Sequence, residues 1–112
     1  HFQKAVQLNP AYGEAELNWG LALMLTRRFP EAVPHFEQAI RLEPASAYFQ
    51  LTYGRALAGA NQPGAALPHL EAATRLDPNS AEAEGELAAT LTRLGRPTEA
   101  ATHEQRARAL KL

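Results

Sequence analysis

Four histidines, His1, His35, His69 and His103, are the residues best suited to binding a metal or moving a proton, and they fall at intervals of 34. Zinc requires imidazole nitrogens converging on one point at about 2.0–2.1 Å. Side chains related by a regular translation instead point in parallel from separate helices, so the spacing argues for a repeated residue and against a metal array. None of the four has a second His or a carboxylate placed as in a metalloprotease motif. Other chemical parts are few: Cys is absent, Asp occurs only as Asp77, and Ser occurs as Ser46 and Ser80. No nucleophile with a neighbouring base, phosphate loop or metal cluster can be assembled. No catalytic residue, cofactor site or metal site is therefore assigned, and the chain is expected not to be an enzyme.

The charged clusters have structural readings. Glu82, Glu84 and Glu86 fall in the first turns of one expected helix, while Arg106, Arg108 and Lys111 fall at the end of the next, and both placements complement the helix dipole. The acidic set offers a second reading, as the end of a binding surface that attracts Lys or Arg on a partner. The basic set is short, offset by nearby acids and free of interleaved aromatics, which argues against nucleic acid. With a net charge of -1, the chain has no long-range attraction for nucleic acid or an anionic membrane. Its apolar runs are too short for a membrane span, and its start lacks the order of a signal peptide. A length of 112 residues, 46% hydrophobic and about a fifth Ala, suits one domain.

The elements that position these residues follow from a repeat. A shift of 34 superposes F-Q-K-A-V-Q-L-N-P on F-E-Q-A-I-R-L-E-P (36–44) and on L-E-A-A-T-R-L-D-P (70–78), with a weaker copy over 104–112. The register holds without gaps through Ala32, Ala66 and Ala100, through Ala39, Ala73 and Ala107, and through Gly20, Gly54 and Ala88. Apolar residues recur at three and four, as in Trp19 and Leu23, then Val33, Phe36 and Ile40, which is helical periodicity. Each period is broken in its middle, at Arg28-Phe29-Pro30, Gln62-Pro63-Gly64 and Gly95-Arg96-Pro97, and at its end, at Asn9-Pro10, Glu43-Pro44 and Asp77-Pro78. The pattern predicts helices near 1–8, 11–27, 30–42, 45–60, 64–76, 79–94 and 97–110. Asn9 and Asp77 are expected to cap the helices that follow them. Each period is thus a helix A, a tight turn, a helix B and a short linker. Gly and Ala at fixed positions remove the side chains that would hold the two axes apart. The expected fold is all-α, a right-handed α-solenoid of antiparallel helix pairs with a 34-residue period.

Over all 112 residues this pattern resembles the tetratricopeptide repeat family, in a bacterial-type form given the Ala-rich, Arg-over-Lys composition. The resemblance rests on Trp19-Gly20, Ala32, Phe36, Ala39 and Pro44 in one repeat and on Tyr53-Gly54, Ala66, Leu70, Ala73 and Pro78 in the next. The third repeat departs from it, with Ala88 for Gly, Glu104 for the aromatic and Leu112 for Pro. The resemblance implies an interaction module whose A helices line a concave groove. Transferred residue by residue, it puts Glu14, Leu17, Asn18, Leu21, Met24 and Leu25 on that surface. Tyr48, Leu51, Thr52, Arg55, Ala58 and Gly59 follow, then Glu82, Gly85, Glu86, Ala89, Thr92 and Arg93. Trp19, Phe49 and Tyr53 are expected to pack in the core or at its shoulder, Tyr12 and Tyr48 to be exposed, and Tyr48 to reach the groove. Family members that bind chaperone tails clamp a terminal carboxylate with Lys and Asn, a set that Asn18 and Arg55 do not reproduce.

These readings make the chain a single domain, divided into 1–12 (helix B of a truncated repeat), 13–46, 47–80 and a terminal repeat, 81–112. The expected function is a non-catalytic scaffold that binds a peptide or partner segment in the concave groove. The partner would be another protein, flanking parts of the same parent chain, or a second copy. The alternative is the targeting or substrate-recruiting region of a larger enzyme or secretion protein. Phe2 and Val6, lacking a helix A of their own repeat, suggest an interrupted start. Ala101, Glu104 and Arg108, in place of buried apolar residues, suggest a water-facing last helix near the array's end.

Overall fold

The computed structural model describes residues 10–111, which form six helices joined by short turns. They are α1 (Pro10–Leu25), α2 (Phe29–Leu42), α3 (Ala47–Gly59), α4 (Pro63–Leu76), α5 (Ala81–Arg93) and α6 (Pro97–Lys111). Odd-numbered helices are the A helices and even-numbered ones the B helices. There is no strand among the described residues, and no helix there is long and apolar enough to cross a membrane. The expected helix near 1–8, with His1, Phe2 and Val6, lies outside the described residues.

The chain turns from A to B in the same way three times. The N–H groups of Arg28, Gln62 and Arg96 donate to the carbonyls of Leu23, Leu57 and Leu91 at 2.8, 2.9 and 2.9 Å. Those of Arg27, Asn61 and Gly95 donate to Met24, Ala58 and Thr92 at 3.0, 3.1 and 3.1 Å. This double closure satisfies the last carbonyls of a helix and requires one left-handed residue. Arg27, Asn61 and Gly95 supply it, with φ of 61°, 64° and 76°.

The linkers correct the expected caps. Asn9 lies outside the described residues, and Asp77 does not cap α5. Ser80 Oγ does so, accepting from the Ala83 N–H at 3.0 Å, as Ser46 Oγ accepts from the Phe49 N–H at 3.1 Å at the start of α3. Pro44 and Pro78 stand ahead of the helices, inside turns closed from the Ser46 N–H to Glu43 and from the Ser80 N–H to Asp77, both at 3.2 Å. Asp77 instead accepts from the Asn79 N–H within that turn. A carboxylate spent on a local turn is not free to cap, and a hydroxyl three residues before the last unpaired N–H of the first turn is placed to do so.

Each A helix packs on the B helix that follows it, along a seam of small residues. Ala32, Ala39, Ala66 and Ala73 are fully buried. A methyl on Gly20 would meet the Phe36 ring at 3.0 Å, and one on Gly54 would meet Leu70 at 2.7 Å. Ala88 holds the third equivalent position, where residue 104 is an exposed Glu and sends in no large side chain. Between repeats, α4 packs on α5 more extensively than α2 on α3. α1 also touches α3, and α3 touches α5, whereas no B helix touches another among the described residues. A stack whose A helices are closer together than its B helices curves toward the A side, which makes the A layer the concave face.

Candidate functional site

The concave face carries a groove in three adjoining sections. An open cavity of about 500 Å³ between the ends of α1 and α3 is lined by Leu21, Met24, Leu25, Phe29, Ala56 and Gly59, with Arg27, Ala60 and Asn61 at the turns. Leu21 and Ala56 continue into a middle section, lined also by Tyr48, Thr52 and Arg55. Tyr48 also lines a smaller one bounded by α3, α4, the linker and α5, with Leu51, Ala73, Asp77, Ser80, Glu82 and Ala83 on its wall. Helical spacing explains the arrangement, since residues 21, 24 and 25 of α1 and 48, 52, 55, 56 and 59 of α3 lie at intervals of three and four along one stripe of each helix. Leu25 is 85% exposed and Tyr48 60%, so the groove holds apolar surface that the chain itself leaves open.

Charge is concentrated at the far end. Arg55 Nη1 lies 2.8 Å from Glu82 Oε2, and Arg55 Nε lies 3.3 Å from Glu86 Oε2. This brings three of the expected site residues into one cluster with one excess negative charge. Arg93 is engaged differently. Its guanidinium donates to the Ala58 carbonyl at 2.8 Å and to Asn61 Oδ1 at 2.7 Å, tying α5 to the preceding turn.

Several expected positions need correction. Leu17 is 1% exposed and Leu51 8%. Both belong to the stripe that includes Gly20 and Gly54 and faces inward, so Leu17 is core, while Leu51 only edges the smallest section. Glu14 and Asn18 are exposed on α1, as a groove surface requires. Glu84 is 4% exposed, and its partner is His103 rather than solvent or a ligand. Trp19, expected to pack, is 57% exposed and lies flat on His35, with centroids 4.2 Å apart. Its counterpart Tyr53 is buried because the Phe36 ring of the preceding repeat stacks on it at 4.6 Å and His69 lies against it at 4.4 Å.

The histidines join the helices of each pair. His35 Nδ1 lies 2.7 Å from Glu16 Oε2, His69 Nδ1 2.8 Å from Gln50 Oε1, and His103 Nδ1 2.5 Å from Glu84 Oε1. Every contact spans 19 residues, so the period carries the partner as well as the His. Burial pushes the His69 pKa down and the Tyr53 pKa up. Among the described residues no three His, Asp or Glu side chains gather as a metal site would require.

Sequence reasoning missed the partners at residues 16, 50 and 84, although the 34-residue register displays them. It also missed Arg27, Phe29, Ala56, Ala60 and Asn61 as groove walls, because three of them sit in turns that helical periodicity does not address.

A family model described as Tetratricopeptide repeat matches residues 1–47, 17–62 and 51–111. Among solved structures, the chain is similar to the MamA RS-1 ArsTM double mutant, at a TM-score of 0.80 and 24% identity over 98% of this chain and 62% of that one. It is similar also to the second TPR of Spaghetti (RPAP3) bound to the HSP90 peptide SRMEEVD, at 0.82 and 19% over 95% and 98%. A third similarity is to the CopN-Scc3 complex, at 0.84 and 17% over 96% and 64%. The chain thus spans less than two thirds of that MamA chain and of the CopN-Scc3 chain. A sequence search of curated proteins finds no match.

Proposed function

Since the chain belongs to the tetratricopeptide repeat family, we propose that it is a non-catalytic protein-interaction scaffold that binds an extended or helical partner segment in its concave groove. We divide it, as one domain, into repeats 13–46, 47–80 and 81–112. The observation that carries the reading is the row of three adjoining cavities from Leu25 to Glu82, apolar at one end and acidic at the other. A surface formed by packed helices exists before the partner arrives, so association need not order the receptor. Met24 adds a contact that adapts to imperfect complements. Two similar structures, one with a bound HSP90 peptide and one a complex, support a role in binding proteins.

The segment that suits this surface has apolar anchors for Leu21, Met24 and Tyr48 and a basic residue for Glu82 and Glu86. The experiment is a peptide-library screen against the wild type, Leu21→Glu and Tyr48→Ala, with solution mass recorded alongside. Loss of hits in both variants at unchanged mass is the expected result. Retention of every hit by both variants refutes the groove assignment, and a change in mass alone makes the surface a site of self-association.

A further inference from the structure

Arg93, Gly59 and Leu25 occupy the same position in three successive repeats. Arg93 lays its side chain across the junction between the second and third repeats, with its guanidinium on the Ala58 carbonyl and Asn61 Oδ1. One repeat earlier, the residues corresponding to Ala58 and Asn61 are Met24 and Arg27, and the residue that would reach them is Gly59. A Cβ built on Gly59 meets nothing within 4 Å. The 500 Å³ cavity contains this space, and Gly59, Met24 and Arg27 all line it. One junction therefore shows the side chain that the other lacks.

From this comparison we infer that the cavity between the first two repeats is a docking pocket for one large apolar side chain of a partner polypeptide, flanked by a carboxylate. This rests on the groove reading above and specifies its first anchor. Leu21, Met24, Leu25, Phe29 and Ala56 give the cavity apolar walls, so they select hydrocarbon or an aromatic ring. The rim selects the flanking charge. In the position that Asn61 holds one repeat later, the rim of this pocket carries Arg27, an exposed residue held at the turn with φ 61° and in no ion pair among the described residues. A cation there disfavours an incoming Arg and favours a carboxylate, so the partner does not simply copy Arg93.

The test uses fluorescein-labelled peptides with a central Phe-Asp, Phe-Asn or Phe-Lys pair between Gly/Ser flanks, titrated by fluorescence polarisation. The variants are Gly59→Arg, which fills the vacancy with the residue the third repeat uses, and Arg27→Asn, which installs the residue of the second repeat. Circular dichroism confirms that each is folded. Phe-Asp is expected to bind the wild type most tightly, and Gly59→Arg to weaken it at least about tenfold, the scale of losing one apolar group from a fitted pocket. Arg27→Asn is expected to weaken Phe-Asp about three- to fivefold, the scale of an exposed ion pair, while leaving Phe-Asn unchanged. If folded Gly59→Arg binds as the wild type does, the pocket is wrong, while sensitivity to Tyr48→Ala would still uphold the wider groove. Equal affinity for Phe-Asp and Phe-Lys refutes the role of Arg27. Failure of all three peptides to bind the wild type overturns the proposal, leaving the library screen to judge the groove itself.

Discussion

A histidine that joins two helices in each repeat has consequences that depend on its partner. His69 faces Gln50, the Tyr53 ring and the charge of Glu37, and burial lowers its pKa against the opposing pull of Glu37. A folded-state pKa below the unfolded value of about 6.5 means that folding favours the neutral ring. Its contribution to stability is then fully present above about pH 6.5 and is lost as pH falls toward the folded pKa. Urea denaturation of the wild type and His69→Gln from pH 7.5 to 5 checks this, with the wild type expected to lose stability relative to the variant as the medium becomes more acid. A constant difference across that range would refute it. At the positions equivalent to Gln50, Glu16 and Glu84 give His35 and His103 carboxylate partners instead.

Within the helix pair, the seam of Gly and Ala sets how near the axes come. Gly54→Ala would place a methyl 2.7 Å from Leu70. Such overpacking is expected to cost about 1–3 kcal/mol. Combined with Leu70→Ala the penalty should vanish, since Ala exceeds Gly in helix propensity by about 1 kcal/mol and nothing large then opposes it. A double-mutant cycle by thermal melting reads the coupling, and additive effects would disprove it. Ala66→Leu, at a fully buried position, is expected to cost a similar 1–3 kcal/mol, roughly, while Gln62→Leu at the exposed turn leaves the melt unchanged. These positions were legible in the sequence because a required small residue recurs at each period. The caps were less so, since Ser46 and Ser80 follow the prolines by two residues and Asp77 presents the more familiar cap side chain. That Leu17 is buried in the core while Leu21 and Met24 stay half-buried was not legible, because three- and four-residue spacing defines stripes without saying which neighbour covers each.

At the scale of the whole molecule, dimensions of 49 × 28 × 18 Å describe a short stack in which each repeat meets only its neighbours. Stability in such an array is close to a sum of repeat and junction terms, and the two junctions among the described residues differ. α4 packs on α5 more extensively than α2 on α3, and only the second junction has the Arg93 tie. Amides of α1 and α2 are therefore expected to exchange with solvent ahead of those in α3 to α6 in native-state hydrogen exchange. Uniform exchange across all six helices would refute this. Arg93→Ala should narrow the gap by loosening the second junction.

The empty position at Gly59 also bears on descent. Glycine codons of the GGN type become arginine codons by one base change in the first position, so the open and bridged junctions are single mutational neighbours. Because a side chain at residue 59 meets no neighbouring atom at its Cβ, such an exchange leaves the helix pair intact while it opens or seals a recess. On the docking role proposed for the recess, a lineage of these repeats can gain or discard that contact at one junction by a single base change.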